Sequence, residues 1–142
     1  MALTCTKPEQ CARLAAGWSL TAADRQQWPT DFRGWRGRSF GFSKHLLKRQ
    51  GERGISVADI RAVMTQGQLV HVRHDRRMRS TRYTLLGRLA SGRILHVVVE
   101  EVEEMWDLTI ITAYDPAGFR DIWNPTFTQR LHWCIATDED GE

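Results

Sequence analysis

The chain has 142 residues, of which 42% are hydrophobic and 26% charged, and its formal net charge is +3. This composition is ordinary for a soluble globular protein, and no run approaches the roughly 18 apolar residues of a membrane-spanning helix. The first ten residues also lack the apolar centre of a signal peptide. We therefore expect a cytoplasmic protein without a membrane partner, built as one domain with an N-terminal attachment.

The small net charge hides a strong polarity along the chain. Residues 1–67 carry 11 Lys/Arg and 5 Asp/Glu, residues 68–93 carry 7 Arg and 1 Asp, and residues 94–142 carry 2 Arg and 11 acids. This asymmetry predicts one electropositive and one electronegative surface. Because the positive charge is mainly arginine, whose planar fork suits phosphate, a nucleic-acid partner is favoured over simple solvation.

Two short helices are predicted in the first 41 residues, which we treat as an extension separate from a domain spanning 42–142. The segment Thr6-Lys-Pro-Glu9 reads as a capping box and opens a helix that stops by Gly17. A second helix is expected from Thr21 to Trp28, where Pro29 ends it.

The segment 28–42 interleaves aromatic residues, arginines and glycines. Such a composition is typical of segments that stack on nucleobases and grip phosphates, and it makes Trp35, Arg36 and Arg38 candidate nucleic-acid contacts. An irregular linker whose aromatic side chains pack back onto the core is the alternative.

The next segment predicts a helical pair and then a sheet. Ser43 is a plausible N-cap, Gly54 suits a C-terminal cap, and Ser56-Val-Ala-Asp59 reads as a capping box, giving helices 43–53 and 56–66. From Gln68 the hydrophobic period becomes that of strands. The expected elements are strands at 69–72, 82–89, 94–100 and 108–114, a basic loop at 74–80 and a last short helix at 126–132. This order predicts an α+β fold with two helices on a small antiparallel sheet.

The first of the paired helices carries a basic face. His45, Arg49 and Arg53 follow each other at spacings of four, so they lie along one narrow side of the helix. Groups that can all be positive are tolerated there most easily when a polyanion comes between them. The alternatives are that His45 binds a strand carbonyl and that the two arginines pair with acids of the 100–104 segment.

These motifs together resemble a known family. The residues that carry the resemblance are Ser43-x-His45-x-x-x-Arg49-x-x-x-Arg53-Gly54-Ile55-Ser56, Arg82-Tyr83, Gly87, Gly92-Arg93-x-Leu95-His96-Val97-Val98 and Ile110-Ile-Thr-Ala-Tyr114. Over roughly residues 42–116 the chain resembles an uncharacterised family of small bacterial domains grouped with the RelE/ParE-like toxin superfamily. The resemblance implies a small sheet with two helices on one face, an RNA-cleaving toxin, and an antitoxin or immunity protein that holds it inactive.

Metal-free RNA cleavage needs a base for the 2′-hydroxyl, an acid for the leaving oxygen, and cations at the phosphate. His45 is the candidate base or acid, and Arg49 and Arg53 are the candidate phosphate ligands. Arg82 is expected to stabilise the transition state, and Tyr83 and Tyr114 are the candidate proton donors or stacking surfaces. As neighbours on a strand, Arg82 and Tyr83 point to opposite sheet faces, so only one can serve the site.

Further nucleic-acid contacts are expected from the basic loop and the helix. The candidates are Lys48, His74, Arg76, Arg77 and Arg79. We expect no metal site and no cofactor, since Cys5, Cys11 and Cys134 contain no CxxC pair and read as structural or inert thiols. The predicted function is a toxin-type, metal-independent endoribonuclease. The alternative is a non-catalytic module that binds nucleic acid or protein, including a mobile-element-encoded inhibitor of a host enzyme.

Overall fold

A computed structural model describes residues 5–18, 20–35, 38–119 and 122–134, except for the side chains of 29–34 and 119. This part of the chain forms an α+β fold with four helices, five strands and one short 3₁₀ helix. The helices are α1 Pro8–Gly17, α2 Ala22–Trp35, α3 Lys44–Arg53 and α4 Val57–Gln66, and the 3₁₀ helix is Pro116–Phe119. The strands are β1 Phe40–Phe42, β2 Gln68–Asp75, β3 Ser80–Arg88, β4 Ile94–Val102 and β5 Leu108–Tyr114.

The strands form one mixed sheet in the order β1-β5-β4-β3-β2. The antiparallel meander from β2 to β5 confirms the predicted order of these strands. Strand β1 was not predicted, and it pairs with β5 in parallel, with Phe40 opposite Leu108. The sheet is therefore mixed rather than antiparallel, and the predicted boundary between 41 and 42 falls inside β1.

The helical pair is held by the caps that the sequence indicates. The Ser43 hydroxyl accepts a hydrogen bond from the Leu46 N–H and donates one to the Ile111 carbonyl, which fixes the start of α3 against β5. Gly54 closes α3 with a φ of 62°, a left-handed conformation that glycine adopts without strain. Ser56 and Asp59 form the predicted reciprocal capping box of α4.

Each face of the sheet buries its own apolar cluster. On the first face, Leu46 of α3 and Ile60 of α4 are fully buried against Leu85, Val97 and Ile110. On the second face, a smaller cluster contains Tyr114, Ile122 and Trp123, with Trp18 packed against it. Residue alternation along the strands separates the two clusters. The segments that flank the helical pair and the meander therefore supply the cover of the second face.

Two helix predictions are wrong. Helix α2 does not end at Pro29 but continues to Trp35. The expected helix at 126–132 is instead a set of turns closed by a bridge between Trp123 and Arg130. There the side-chain oxygen of Asn124 accepts hydrogen bonds from the backbone N–H groups of Thr128 and Gln129. Side-chain hydrogen bonds of this kind, which asparagine commonly forms near turns, compete with the backbone hydrogen bonds of a helix.

None of the four helices combines the length and the apolar character needed to cross a membrane.

Candidate nucleic-acid interface

The β2–β3 turn and the β4–β5 turn lie at the same end of the sheet and border a cavity of about 820 Å³, which we call the loop-end cleft. Its titratable lining residues are Arg38, His74, Asp75, Arg76, Arg79, Glu101, Glu103 and Glu104. Met105 and Trp106 also line it, together with Ser80, Thr81 and Val102. Four of the predicted nucleic-acid contacts therefore line one cavity. They are Arg38, His74, Arg76 and Arg79.

The β2–β3 turn forms a basic wall of the cleft. Asp75 caps this turn by accepting a hydrogen bond from the Met78 N–H at 3.0 Å. Arg76, Arg77 and Arg79 are exposed, and they form no ion pair with any residue that the structure describes. Arg76 and Arg79 line the cleft, whereas Arg77 lies on the same turn outside its lining. The turn thus presents arginines whose charge is not taken up by an ion pair within the described part of the chain.

The β4–β5 turn forms the opposite, acidic wall. The Glu103 N–H donates to the Arg79 carbonyl at 2.8 Å, so the two turns are joined through their backbones. Glu104 has a φ of 70°, which turns the chain sharply before the next two side chains. Met105 and Trp106 follow with 59% and 64% of their surfaces exposed. A tryptophan so exposed offers a flat apolar surface at the rim of the cleft.

Arg38 holds the acidic wall in place. Its guanidinium forms an ion pair with Glu101, donates to the Trp106 carbonyl at 2.6 Å and the Met105 carbonyl at 3.0 Å, and lies over the Trp106 ring at 5.4 Å. Only 9% of the side chain is exposed. Since these internal partners occupy the guanidinium, the predicted direct contact of Arg38 with a nucleic acid is corrected to a positioning role.

His74 lies at the edge of the cleft and links it to α2. Its ring nitrogens lie 3.2 Å from the Thr81 hydroxyl and 3.4 Å from the Asp24 carboxylate. Burial opposes ionisation of Asp24, yet its pKa is lowered because Thr21 and His74 hydrogen bond to the carboxylate. The His74 side chain remains 63% exposed, so it is accessible from the cleft.

The predicted catalytic residues do not converge. His45, Arg49 and Arg53 follow α3 along β5, away from the loop-end cleft. Arg53 donates to the Ala113 carbonyl at 2.8 Å and to the Thr112 hydroxyl at 3.2 Å, and Arg49 pairs with Glu52 at 3.1 Å. The ion pair of Arg49 is thus made within its own helix rather than with the 100–104 segment. His45 is half-buried near the start of α3.

Arg82 and Tyr83 lie on opposite faces of β3, as their adjacency predicts. Arg82 donates to Glu100 at 2.9 Å and borders a separate cavity of about 280 Å³. Tyr83 is only 5% exposed and lies in the first-face core, where its ring packs edge-on against Trp35. Neither side chain reaches the α3 residues, because Arg82 is on the other face and Tyr83 is enclosed. The predicted five-residue catalytic site is therefore not assembled.

The remaining predicted contacts have varied positions. Trp35 is 6% exposed and packs against Trp28 and Tyr83, which corrects its predicted stacking role, because a buried indole offers no face to a base. Arg36 lies outside the residues that the structure describes. Lys48 is exposed on α3, apart from the cleft. Trp106 was not among the predicted contacts, although a tryptophan in a charged turn is a pattern that could have indicated it.

Three cysteines and one histidine, drawn from the first and the last described segments of the chain, lie close together. One ligand atom each from Cys5, Cys11, His132 and Cys134 lies within 4.8 Å of the others. The expectation of structural or inert thiols relied on the spacing of the cysteines within the sequence. The fold brings residues 5–11 beside 132–134, and no spacing rule detects such a pairing of two remote segments.

Comparison with known proteins gives one match. No curated protein and no solved structure shows significant similarity to the chain. A family model described as a domain of unknown function, DUF4258, matches residues 42–115. The match begins at the last residue of β1 and covers α3, α4 and the meander, which is slightly more than half of the chain. The chain therefore belongs to the DUF4258 family.

Proposed function

We propose that this protein is a non-catalytic module that binds single-stranded RNA across the loop-end cleft. The observation that carries the proposal is the pairing of unneutralised arginines on the β2–β3 turn with an exposed tryptophan on the facing turn. Proteins that bind single strands combine these two features, because guanidinium groups follow the phosphates while aromatic rings stack on the bases.

The acidic wall limits rather than abolishes such binding. Glu101 is already paired with Arg38, and Asp75 accepts a hydrogen bond from its own turn. Neither carboxylate therefore cancels the positive charge of the basic wall fully. Glu103 and Glu104 are exposed, and in water their repulsion of a phosphate is strongly screened. We infer moderate affinity and a preference for a strand whose phosphates lie on the basic wall and whose bases lie towards Trp106.

The double variant Arg76→Ala/Arg79→Ala is expected to weaken RNA binding roughly tenfold and to lower the salt slope of log Kd by about 1.4, since two phosphate contacts are lost. Fluorescence anisotropy with a labelled single-stranded RNA at several salt concentrations measures both quantities. Arg88→Ala is the matched control, because Arg88 is an exposed arginine at the opposite end of β3.

Trp106→Ala adds a test of the stacking surface. Loss of one stacked base is worth about 1–3 kcal/mol, so Kd should rise about 5- to 150-fold, with little change in salt slope. Leu47→Ala, an equally exposed apolar residue on α3, should leave Kd unchanged. Equal effects of the cleft and control variants, or no RNA binding at low salt, would contradict the proposal.

We further propose the RelE/ParE-like placement, a cytoplasmic location, and control by an antitoxin or immunity protein. The order of a helical pair followed by an antiparallel meander supports the placement. Exposed Met78, Met105 and Trp106 near the cleft support the protein partner, because methionine, tryptophan and arginine are enriched where proteins meet. A partner that masks this surface would compete with RNA.

A second candidate is the toxin-type, metal-independent endoribonuclease, now centred on the cleft. It is favoured by the position of His74, an accessible imidazole that lines the same cavity as Arg76 and Arg79. A neutral imidazole can take the proton of the 2′-hydroxyl, while the arginines stabilise the charge that develops on the phosphate.

If cleavage uses the cleft, His74→Ala should lower its rate about 100-fold or more, whereas His45→Ala should change it little. The assay is cleavage of labelled RNA in EDTA, with detection of cyclic-phosphate ends. A rate that depends on His45 instead would place the chemistry on α3. Intact RNA after prolonged incubation with the wild-type protein would remove the enzyme candidate and leave the binding proposal standing.

A further inference from the structure

The cluster of Cys5, Cys11, His132 and Cys134 has the composition of a metal site. Three thiols and one imidazole, with one ligand atom from each within 4.8 Å of the others, match the Cys₃His donor set of structural zinc sites. Thiolate and imidazole ligands in a closed four-ligand set select Zn²⁺ over the oxygen-preferring Mg²⁺ and Ca²⁺. All four residues lie outside the family match of 42–115, so the cluster belongs to the flanking segments.

We propose that these four residues bind one structural Zn²⁺ ion. Binding converts the three thiols to thiolates, with their protons released to solvent, and leaves the imidazole neutral. With four protein ligands the metal has no open position, so its role is structural rather than catalytic.

The sulfur geometry fits coordination better than a disulfide. The sulfurs of Cys5 and Cys134 are 4.0 Å apart, close to the roughly 3.8 Å edge of a tetrahedron with zinc–sulfur bonds of about 2.3 Å. A disulfide would need about 2.05 Å. All three cysteines are free thiols.

Groups around the cluster support thiolate ligands. The Trp133 N–H donates to the sulfur of Cys11 at 3.3 Å. Such a donor orients a metal-bound sulfur and stabilises its negative charge. The Nδ1 atom of His132 is buried and has no hydrogen-bond partner within the described residues. Coordination through that nitrogen would satisfy it.

The ion would join the two ends of the chain over the second face of the sheet. Cys11 is 2% exposed in α1, while His132 and Cys134 follow the bridge at Arg130. Few other bonds join these segments within the described part of the chain. Besides the bond from the Trp133 N–H to Cys11, those between side chain and backbone among the described residues are Trp18 Nε1 to the Thr128 carbonyl at 3.2 Å and Gln129 Nε2 to the Ala15 carbonyl at 3.0 Å. A metal would thus hold the cover of the second face in place.

The test uses the untagged full-length chain, because tag histidines bind metals. Wild-type protein purified from zinc-supplemented cells should contain about one Zn²⁺ per chain, measured by inductively coupled plasma mass spectrometry. The Cys134→Ser and His132→Gln variants should each contain less than about 0.2 Zn²⁺ per chain. His74→Ala is the control, since its exposed imidazole is outside the cluster, and it should retain the metal. EDTA should lower the Tm of the wild-type protein by at least about 5 °C.

Cobalt reconstitution keeps the test valid if a variant fails to fold. The metal-free wild-type chain with Co²⁺ should show the visible absorption of tetrahedral cobalt and a sulfur-to-cobalt charge-transfer band, and Zn²⁺ should bleach both. Wild-type protein without stoichiometric zinc and without this cobalt spectrum would overturn the proposal. So would a Cys5–Cys134 disulfide, seen as the loss of two hydrogens in the intact mass before reduction.

Discussion

Acidification from pH 6.5 to pH 4 is expected to lower the free energy of unfolding by on the order of 3 kcal/mol through His96 alone. His96 is fully buried on the second face of the sheet. Its Nε2 donates to the Phe127 carbonyl at 2.7 Å, and its Nδ1 accepts from the Tyr114 hydroxyl at 3.1 Å. Both ring nitrogens are therefore used by the neutral form.

The direction of the effect follows from the pKa. Burial lowers the pKa of His96 to about 4, although the hydrogen bond to Phe127 and the charge of Asp115 oppose the shift. The unfolded chain binds a proton near pH 6.5, while the folded protein resists it until about pH 4. The stabilisation is thus complete above pH 6.5 and is lost as the pH falls towards 4. Burial also lowers the pKa of His71, which stacks on Trp18, to about 4.

Urea unfolding between pH 7 and pH 4, in EDTA to exclude metal effects, measures this dependence. His96→Gln should be less stable at pH 7 but should show a pH slope smaller by about one proton, because the titrating group is gone. Val98→Ala is the control and should keep the wild-type slope, since it loosens the same second-face cluster without removing a titrating group. An unchanged slope in His96→Gln would show that the buried imidazole does not govern acid stability.

The parts of the fold that the sequence predicted are those encoded by neighbouring residues. Caps at Ser43, Gly54 and Ser56 fix α3 and α4, because each cap is a bond between residues at most a few positions apart. The alternation of apolar and polar residues predicted the four meander strands, because it too is a pattern among neighbouring residues. Strand β1 was not predicted because three residues are too few to show an alternation of apolar and polar side chains. Its pairing with β5 also depends on residues 68 positions away.

The candidate sites were harder to predict because each depends on residues from distant segments. The basic face of α3 could be predicted from the spacing of its residues. Arg53, however, donates a hydrogen bond to the Ala113 carbonyl, a partner that only the fold reveals. In a four-stranded meander the first and third turns lie at one end, so the basic loop and the acidic turn could have been placed together. Trp106, which lies on that acidic turn, was not predicted for the same reason.

Gly87→Ala is expected to destabilise the protein by about 2–3 kcal/mol and to lower its Tm by roughly 5–10 °C. Gly87 is on the face of β3 that α4 covers. A Cβ atom there would lie 2.6 Å from Cγ2 of Val63 and 3.1 Å from its Cβ. Val63 is 1% exposed, and its branched side chain has little rotamer freedom in a helix. The added methyl must therefore push α4 off the sheet, which disturbs the core shared by Leu85 and Ile60.

Gly41→Ala is the matched control, because Gly41 is also a strand glycine but a Cβ there meets nothing within 4 Å. Its change should stay within about 0.5 kcal/mol. Chemical denaturation of both variants measures the difference, and Val63→Ala added to Gly87→Ala should recover part of the loss by making room. Equal stabilities of the two glycine variants would mean that α4 does not approach β3 so closely. The contact between Gly87 and Val63 would then not be what orients the helical pair on the meander that carries the loop-end cleft.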